Sequence, residues 1–157
     1  MSKILIVEDE ALIAQLISTA LSAHGYECLW VRDGVEALAK LTEFEPAIVL
    51  TDLVMSGMGG LQLIPKLRAA MPELRIVAMT GCQAAGPEAP LAAAQRLGAD
   101  AVLAKPFRVL ELLEALAPSE PAPPVEVVAA NEVLLSEAPP RSLTMASALT
   151  RLVRRFV

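Results

Sequence analysis

Residues 4–10 read Ile-Leu-Ile-Val-Glu-Asp-Glu, and this stretch decides the fold. Four consecutive apolar residues without polar alternation predict a β-strand buried on both faces, as in a parallel sheet. The strand ends at the acidic group Glu8-Asp9-Glu10. An apolar stripe of helical period follows, made by Leu12, Ile13, Leu16, Ile17, Ala20 and Leu21. His24-Gly25 ends this helix, because glycine suits the left-handed position after a helix.

The same strand–helix unit recurs through the first 117 residues. Further strands are predicted at Cys28–Val31, Ala47–Leu50 (ending at Thr51-Asp52), Arg75–Met79 and Ala101–Ala104. Further helices are predicted from the capping residue Asp33 to Thr42, at Gly59–Met71 with Pro65 inside, at Ala89–Leu97 and at Phe107–Ala117. Right-handed crossovers between parallel strands place helices on both faces of the sheet. The sequence therefore predicts a doubly wound α/β domain with a five-stranded parallel sheet.

Composition narrows the classes of function. The 157 residues suit one domain with an appendage, and they are 55% hydrophobic but only 3% aromatic. A net charge of −5 disfavours nucleic-acid binding, which needs a basic face. The apolar run at the N-terminus is too short for a signal sequence or a membrane span. Cys28 and Cys82 lack metal-ligand spacing. We therefore expect a cytoplasmic protein with no nucleic-acid or membrane partner.

The composition changes after the fifth predicted helix. Residues 118–141 are proline-rich and are predicted to form a linker. Residues 142–157 are predicted to form a short basic amphipathic helix. This tail holds no two-helix motif with a recognition helix, so DNA-binding output is disfavoured. We hypothesise that its apolar residues cover the domain's own surface or a second copy of the domain.

Polar side chains follow four of the predicted strands. They are Glu8-Asp9, Asp52, Thr80 and Lys105. Parallel strands end at the same edge of the sheet, where ligands bind, so these residues are expected to converge. Clustered carboxylates repel one another unless a cation lies among them, and their hard oxygen atoms suit Mg²⁺. Such a site, with a lysine and a hydroxyl beside it, can move a phosphoryl group onto an aspartate.

From Lys3 to about Leu116 the chain resembles the receiver domains of bacterial two-component response regulators. The motifs that carry the resemblance are Ile-Val-Glu8-Asp9-Glu10, Thr51-Asp52-Leu53, Met58-Gly59-Gly60-Leu61, Met79-Thr80-Gly81 and Ala104-Lys105-Pro106-Phe107. Each motif is weak alone, but their order and spacing are specific. The resemblance implies a flavodoxin-like fold with strand order 2-1-3-4-5, a receiver domain at residues 1–117, and a cytoplasmic phosphoprotein in signal transduction.

The resemblance also implies roles for individual residues. Asp52 resembles the phosphoacceptor, which attacks the phosphohistidine of a histidine kinase or phosphotransfer protein. Lys105 resembles the lysine that pairs first with a carboxylate and then with the phosphoryl group. Thr80 resembles the switch hydroxyl that moves to the phosphoryl group. Pro106 is expected to follow a cis peptide bond.

The cofactor implied by the resemblance is Mg²⁺. Its implied ligands are the carboxylates of Asp9 and Asp52, the carboxylate of Glu8 mainly through water, and the backbone carbonyl of Val54. No further cofactor is implied.

Four features depart from the family pattern. Val102 occupies the position where most relatives have an aromatic residue that swings inward when the switch threonine moves. The part of the conformational change that depends on this aromatic side chain cannot operate as usual. Gly59 replaces a common acidic residue and Ser56 a common proline, and together they loosen the loop after Asp52. The stretch Cys82–Pro90 is about three residues longer than the family pattern, so the fourth helix is expected to be late or irregular. We hypothesise that Val54 and Cys82, being less able to hold a hydrolytic water, make the phosphorylated state long-lived.

Three functions remain open. The first is a stand-alone phosphorylated receiver that signals by protein contact or as a homodimer, through the face of the fourth helix, fifth strand and fifth helix or through the tail. The second is a degenerate adaptor that binds proteins without phosphorylation. The third is a phosphoaspartate hydrolase, which is disfavoured because its nucleophile would follow the first strand, where Glu8-Asp9 lies. The cognate kinase and the downstream target are not encoded in any pattern we recognise.

Overall fold

The computed structural model describes residues 1–81 and 86–118. The strands are β1 (Lys3–Val7), β2 (Glu27–Val31), β3 (Ile48–Asp52), β4 (Arg75–Thr80) and β5 (Ala101–Ala104). The helices are α1 (Ala11–Ala23), α2 (Gly34–Phe44), α3 (Gly60–Ala70), α4 (Glu88–Leu97) and α5 (Val109–Leu116). Every strand pairing is parallel, and the order β2-β1-β3-β4-β5 confirms the predicted doubly wound fold.

The register of the sheet aligns the ends of the strands that carry the site. Val7 at the end of β1 pairs with Thr51 of β3, and Asp52 pairs with Met79 of β4. Thr80 pairs with Ala104 at the end of β5. The residues that follow β1, β3 and β5 therefore emerge at one edge of the sheet, as the apolar runs predicted.

Two apolar clusters cover the two faces of the sheet. On one face, Ala14, Ile17 and Leu21 of α1 pack with Leu112 and Leu116 of α5. On the other face, α2, α3 and α4 contribute Ala37, Leu41, Leu63, Ile64, Leu67 and Ala94. The strands supply alternate residues to each cluster, so the continuous apolar runs are needed to fill both.

The buried faces of two helices differ from the sequence-based expectation. In α1 the predicted stripe included Leu12 and Leu16, but these side chains are 66% and 64% exposed. Ile17 and Leu21 of that stripe are buried as predicted, together with Ala14, which lay outside it. In α5 the spacing predicts one apolar side made by Leu110, Leu113 and Leu116. Leu116 is buried as predicted, whereas Leu110 is exposed and Leu112 is buried in its place. Both helices carry more apolar residues than one face can bury. Packing against the sheet determines which of these side chains are buried.

Most helix ends agree with the sequence. Asp33 accepts hydrogen bonds from the backbone N–H groups of Val35 and Glu36, at 2.8 and 2.9 Å, and so caps α2 as predicted. Gly25 after α1 has φ of +84°, the left-handed conformation that favours glycine. Pro65 lies inside α3 and does not delay its start. The fourth helix begins at Glu88, directly after Pro87.

Several predictions concern residues outside the described part of the chain. They are the loop residues 82–85, which include Cys82, the linker beyond Pro118 and the basic helix at 142–157. Within the described residues, no helix is both long and apolar enough to span a lipid bilayer.

Candidate functional site

The centre of the site is the ammonium group of Lys105, which lies between two carboxylates. Its Nζ is 2.5 Å from Oδ2 of Asp52 and 2.6 Å from Oε2 of Glu8. The Lys105 side chain is 15% exposed, whereas those of Asp52 and Glu8 are 9% and 1% exposed. Residues that are 97 and 53 positions apart in sequence thus form one buried ion cluster, as the alignment of strand ends predicted.

Burial and pairing act in opposite directions on these charges. Burial raises the pKa of the Glu8 carboxyl above its ordinary value, and the nearby Asp52 carboxylate adds to the rise, which the contacts with Lys105 do not cancel. Burial alone would lower the pKa of Lys105, but its hydrogen bonds to Asp52 and Glu8 outweigh that effect and raise it. Lys105 therefore stays protonated, and it compensates two buried anions at once.

The backbone around Asp52 holds its carboxylate in place. The N–H of Val54 donates to Oδ1 of Asp52 at 2.8 Å, while Lys105 occupies Oδ2. The start of α3 lies against the same segment, since a Cβ atom on Gly60 would lie 2.5 Å from the carbonyl oxygen of Asp52. Glycine at position 60 thus permits the close approach of α3 to the end of β3.

Thr80 and Lys105 are joined through the backbone. The N–H of Lys105 donates to the carbonyl oxygen of Thr80 at 2.7 Å. The Thr80 hydroxyl is buried and has no hydrogen-bond partner among the described residues. A buried hydroxyl without a partner is uncommon, because the cost of removing it from water is not offset by a hydrogen bond. The peptide bond between Lys105 and Pro106 is cis, as predicted.

Asp9 lies apart from this cluster in its contacts. Its Oδ2 accepts hydrogen bonds from the backbone N–H and the hydroxyl of Ser56, at 3.0 and 3.2 Å. The backbone N–H of Ser56 is the main reason why the pKa of Asp9 lies below its ordinary value. Asp9 is thus stabilised as an anion by the loop that follows β3.

The carboxylates supply the donor chemistry for Mg²⁺ but are not yet gathered around one point. Within the described residues, no group of three or more acidic, histidine or cysteine side chains is placed to hold a metal ion. Lys105 lies between Glu8 and Asp52, and Asp9 is bound to Ser56. The hard oxygen atoms of these residues fit Mg²⁺ chemically. The ligand set of Glu8, Asp9, Asp52 and the Val54 carbonyl stays a prediction, because these groups do not surround one position in the structure.

Two residues at the site were not predicted to contact it. The indole N–H of Trp30 on β2 donates to the carbonyl oxygen of Glu8 at 2.8 Å. No sequence pattern indicates this contact, since it depends on the pairing of β1 with β2. The contact of Ser56 with Asp9 was indicated in the sequence only by the presence of serine where the family pattern has proline. From that replacement we predicted a looser loop and not a hydrogen bond to Asp9.

Val102, at the position of the missing aromatic residue, lies on β5. It is partly buried and packs against the apolar cluster that includes Ala78 and Ala94. The position is therefore filled by a short branched side chain that belongs to the core.

The model of the response regulator receiver domain family matches residues 4–117. The chain belongs to this family. The receiver domain of NtrX from Brucella abortus superimposes with a TM-score of 0.66 at 32% identity, covering 71% of this chain and 92% of that structure. The resemblance and the fold predicted from the sequence are confirmed.

Curated relatives include both short and long response regulators. Sporulation initiation phosphotransferase F of Bacillus subtilis is 31% identical over 114 residues, which are 73% of this chain and 90% of that protein. The DNA-binding response regulator MtrA of Mycobacterium tuberculosis is 31% identical over 113 residues, or 71% of this chain. The receiver domain spans about half the length of these MtrA relatives, with 47% of MtrA covered. As a receiver domain, the chain is a signalling module of the response regulator family.

Proposed function

We propose that Asp52 accepts a phosphoryl group from a phosphohistidine and that the receiver domain then signals through protein contacts. The observation that carries this proposal is the buried Lys105 ammonium, bound to Asp52 and Glu8 at the end of the sheet where Thr80 keeps an unpaired hydroxyl. A cation already paired with Asp52 can remain paired with a phosphoryl oxygen bonded to it. The free hydroxyl is a donor with no competing partner among the described residues.

In the proposed reaction, a carboxylate oxygen of Asp52 forms a bond to phosphorus as the phosphorus–nitrogen bond of the phosphohistidine breaks. The bonding pair stays with the imidazole nitrogen, which takes up a proton from water. Lys105 compensates the negative charge that accumulates on the phosphoryl oxygens. Mg²⁺ held by Glu8, Asp9, Asp52 and the Val54 carbonyl would supply further positive charge to those oxygens.

Phosphorylation replaces the single negative charge of the Asp52 carboxylate with about two negative charges on the phosphoryl oxygens, at the edge of the sheet. The Thr80 hydroxyl has no hydrogen bond among the described residues to break before it turns toward them. Because Thr80 ends β4, its movement would be passed to the residues that follow, which lead into α4. This is the route by which we propose that the site reaches the face formed by α4, β5 and α5.

The experiment that tests the proposal is incubation of the full chain with acetyl phosphate and Mg²⁺, followed by intact-mass spectrometry. We expect an adduct of one phosphoryl group that is absent from Asp52→Asn. Glu10→Gln, which changes an exposed carboxylate beside the site, is the matched control and should still be modified. An adduct of equal yield on Asp52→Asn would refute the assignment of the acceptor.

A second candidate function is a protein-binding adaptor that works without phosphorylation. It is favoured by Val102, which packs into the core where an aromatic residue would otherwise move with the switch. Absence of any adduct on the folded parent chain, under conditions that modify another receiver domain, would support the adaptor. A stand-alone domain architecture and a cytoplasmic location stay predictions.

A further inference from the structure

The loop between β3 and α3 binds both aspartates of the site through neighbouring N–H groups. Val54 donates to Asp52 at 2.8 Å, and two residues later Ser56 donates to Asp9 at 3.0 Å. The Ser56 hydroxyl adds a third bond, at 3.2 Å, to the same Asp9 oxygen. One short segment therefore fixes the positions of carboxylates that come from two different strands.

This loop is also anchored at its far end. The N–H of Gly34, the first residue of α2, donates to the carbonyl oxygen of Met58 at 3.0 Å. Gly57 takes the left-handed conformation, with φ of +86°, which lets the chain turn between Ser56 and Met58. The N–H of Ser56 is thus presented to Asp9 by a segment held on both sides.

The two bonds from Ser56 saturate the oxygen of Asp9 that they reach. A carboxylate that accepts two hydrogen bonds as an anion gains less from a cation than one that faces water. The described acidic residues also fail to form a metal-holding group while Asp9 is bound in this way. A cation that binds this oxygen of Asp9 therefore competes with the contact to Ser56.

Building on the proposed Mg²⁺ site, we infer that Ser56 sets the divalent-cation affinity of this receiver domain by holding Asp9 away from the metal position. Ser56 is a positioning residue in this scheme, because it acts through Asp9 and touches no reacting atom. A proline at position 56 could form neither bond, since it lacks both the N–H and the hydroxyl. Ser56 thus competes with the cation for the Asp9 carboxylate.

The test is titration of the full chain with MgCl₂, in which binding is measured by tryptophan fluorescence and, separately, by calorimetry. Trp30 is the single tryptophan of the sequence, and its indole donates to the Glu8 carbonyl, so it reports from beside the site. Ser56→Ala removes the hydroxyl bond and should tighten Mg²⁺ binding by roughly threefold. Ser56→Pro removes both bonds and should tighten it by about tenfold. Ser56→Thr keeps both donors and should bind as the parent does.

The outcomes separate this inference from the proposed function. Equal or weaker Mg²⁺ affinity in Ser56→Ala and Ser56→Pro, with binding still lost in Asp9→Asn, would overturn the role of Ser56 and leave the metal site intact. Absence of Mg²⁺ binding in every variant would overturn both. Thr19→Ala, which removes an exposed hydroxyl bond on α1, is the control for loss of a surface hydroxyl. Urea unfolding without Mg²⁺ checks that all variants are folded.

Discussion

At the scale of single residues, Lys105 compensates two buried carboxylates. Lys105→Met would leave Glu8 and Asp52 as neighbouring anions with almost no access to water. Removal of one partner from a buried ion pair costs more than the pair contributes, because the remaining charge stays desolvated. We expect the free energy of unfolding at neutral pH to fall by about 2–4 kcal/mol, as measured by urea denaturation.

Addition of Mg²⁺ should restore part of that stability, since a divalent cation can replace the lost ammonium beside the carboxylates. Lys66→Met is the matched control, because Lys66 is exposed on α3 and lies outside the ion cluster of the site. A loss of stability in Lys105→Met no greater than in Lys66→Met would show that Lys105 does not compensate these charges.

The residue scale also shows what the sequence could predict about the site. Glu8, Asp52 and Lys105 were predicted to converge because each follows an apolar strand, and the strand ends of a parallel sheet coincide. The bond between Ser56 and Asp9 was not predictable, since it depends on how a loop with glycine on one side turns. Hydrophobic periodicity carries no information about loop conformation.

At the scale of elements, the packing of α3 against the end of β3 tests how closely the acceptor is held. Gly60→Ala places a Cβ atom 2.5 Å from the Asp52 carbonyl oxygen, so α3 or the segment after β3 must shift. We expect a loss of about 1–3 kcal/mol in unfolding free energy, together with slower phosphorylation of Asp52 by acetyl phosphate.

Gly81→Ala is the matched control for this substitution. Its Cβ atom would meet nothing within 4 Å among the described residues, so its stability should stay within about 0.5 kcal/mol of the parent. The prediction fails if Gly60→Ala and Gly81→Ala have the same unfolding free energy and the same rate of Asp52 phosphorylation. The added Cβ atom at position 60 would then be accommodated without any effect on the acceptor.

The start of α5 gives a pH dependence that is independent of the site. The backbone N–H of Arg108 donates to the Glu111 carboxylate at 2.7 Å, and this bond is the main cause of the lowered pKa of Glu111. A lowered pKa means that the contribution to stability is present above the ordinary value of 4.5 and is lost as the pH falls through the folded-state pKa.

Glu111→Gln should therefore lower the Tm slightly at neutral pH, and the difference from the parent should vanish in acid. Thermal unfolding followed by circular dichroism over a pH series measures it. Glu114→Gln, an exposed change on the same helix, should show no such trend. A difference for Glu111→Gln that persists unchanged in acid would argue against the charged cap.

The elements were predicted better than their buried faces. The positions of the strands and helices follow from apolar runs and turn residues, and the doubly wound arrangement follows from crossover handedness, whereas the strand order was implied only by the family resemblance. The apolar residues of α1 form two overlapping stripes, and periodicity alone does not choose between them. The choice follows from which side chains fit between α1 and the strands, where the small Ala14 is buried and the larger Leu12 is not.

At the scale of the whole molecule, the site and a candidate contact face are linked through the edge of the sheet. β5 contacts both α4 and α5, and Lys105 follows β5 directly. The exposed apolar residues of this region are Leu97, Val109 and Leu110, which are 39%, 44% and 65% exposed. Val109 and Leu110 are adjacent at the start of α5, the helix that follows β5, so they are the apolar part of this region that a partner would cover.

If phosphorylation promotes self-association through this face, the association state of the full chain changes with phosphorylation. We expect acetyl phosphate and Mg²⁺ to increase self-association in sedimentation velocity, and we expect Leu110→Glu to abolish the increase while Asp52 is still modified. Leu12→Glu is the matched control, because Leu12 is 66% exposed on α1, away from β5, and should associate as the parent does. Charge at position 110 opposes burial in an interface, whereas at position 12 it remains in water. Self-association that is unaffected by Leu110→Glu but lost in Leu12→Glu would move the contact surface from α5 to α1.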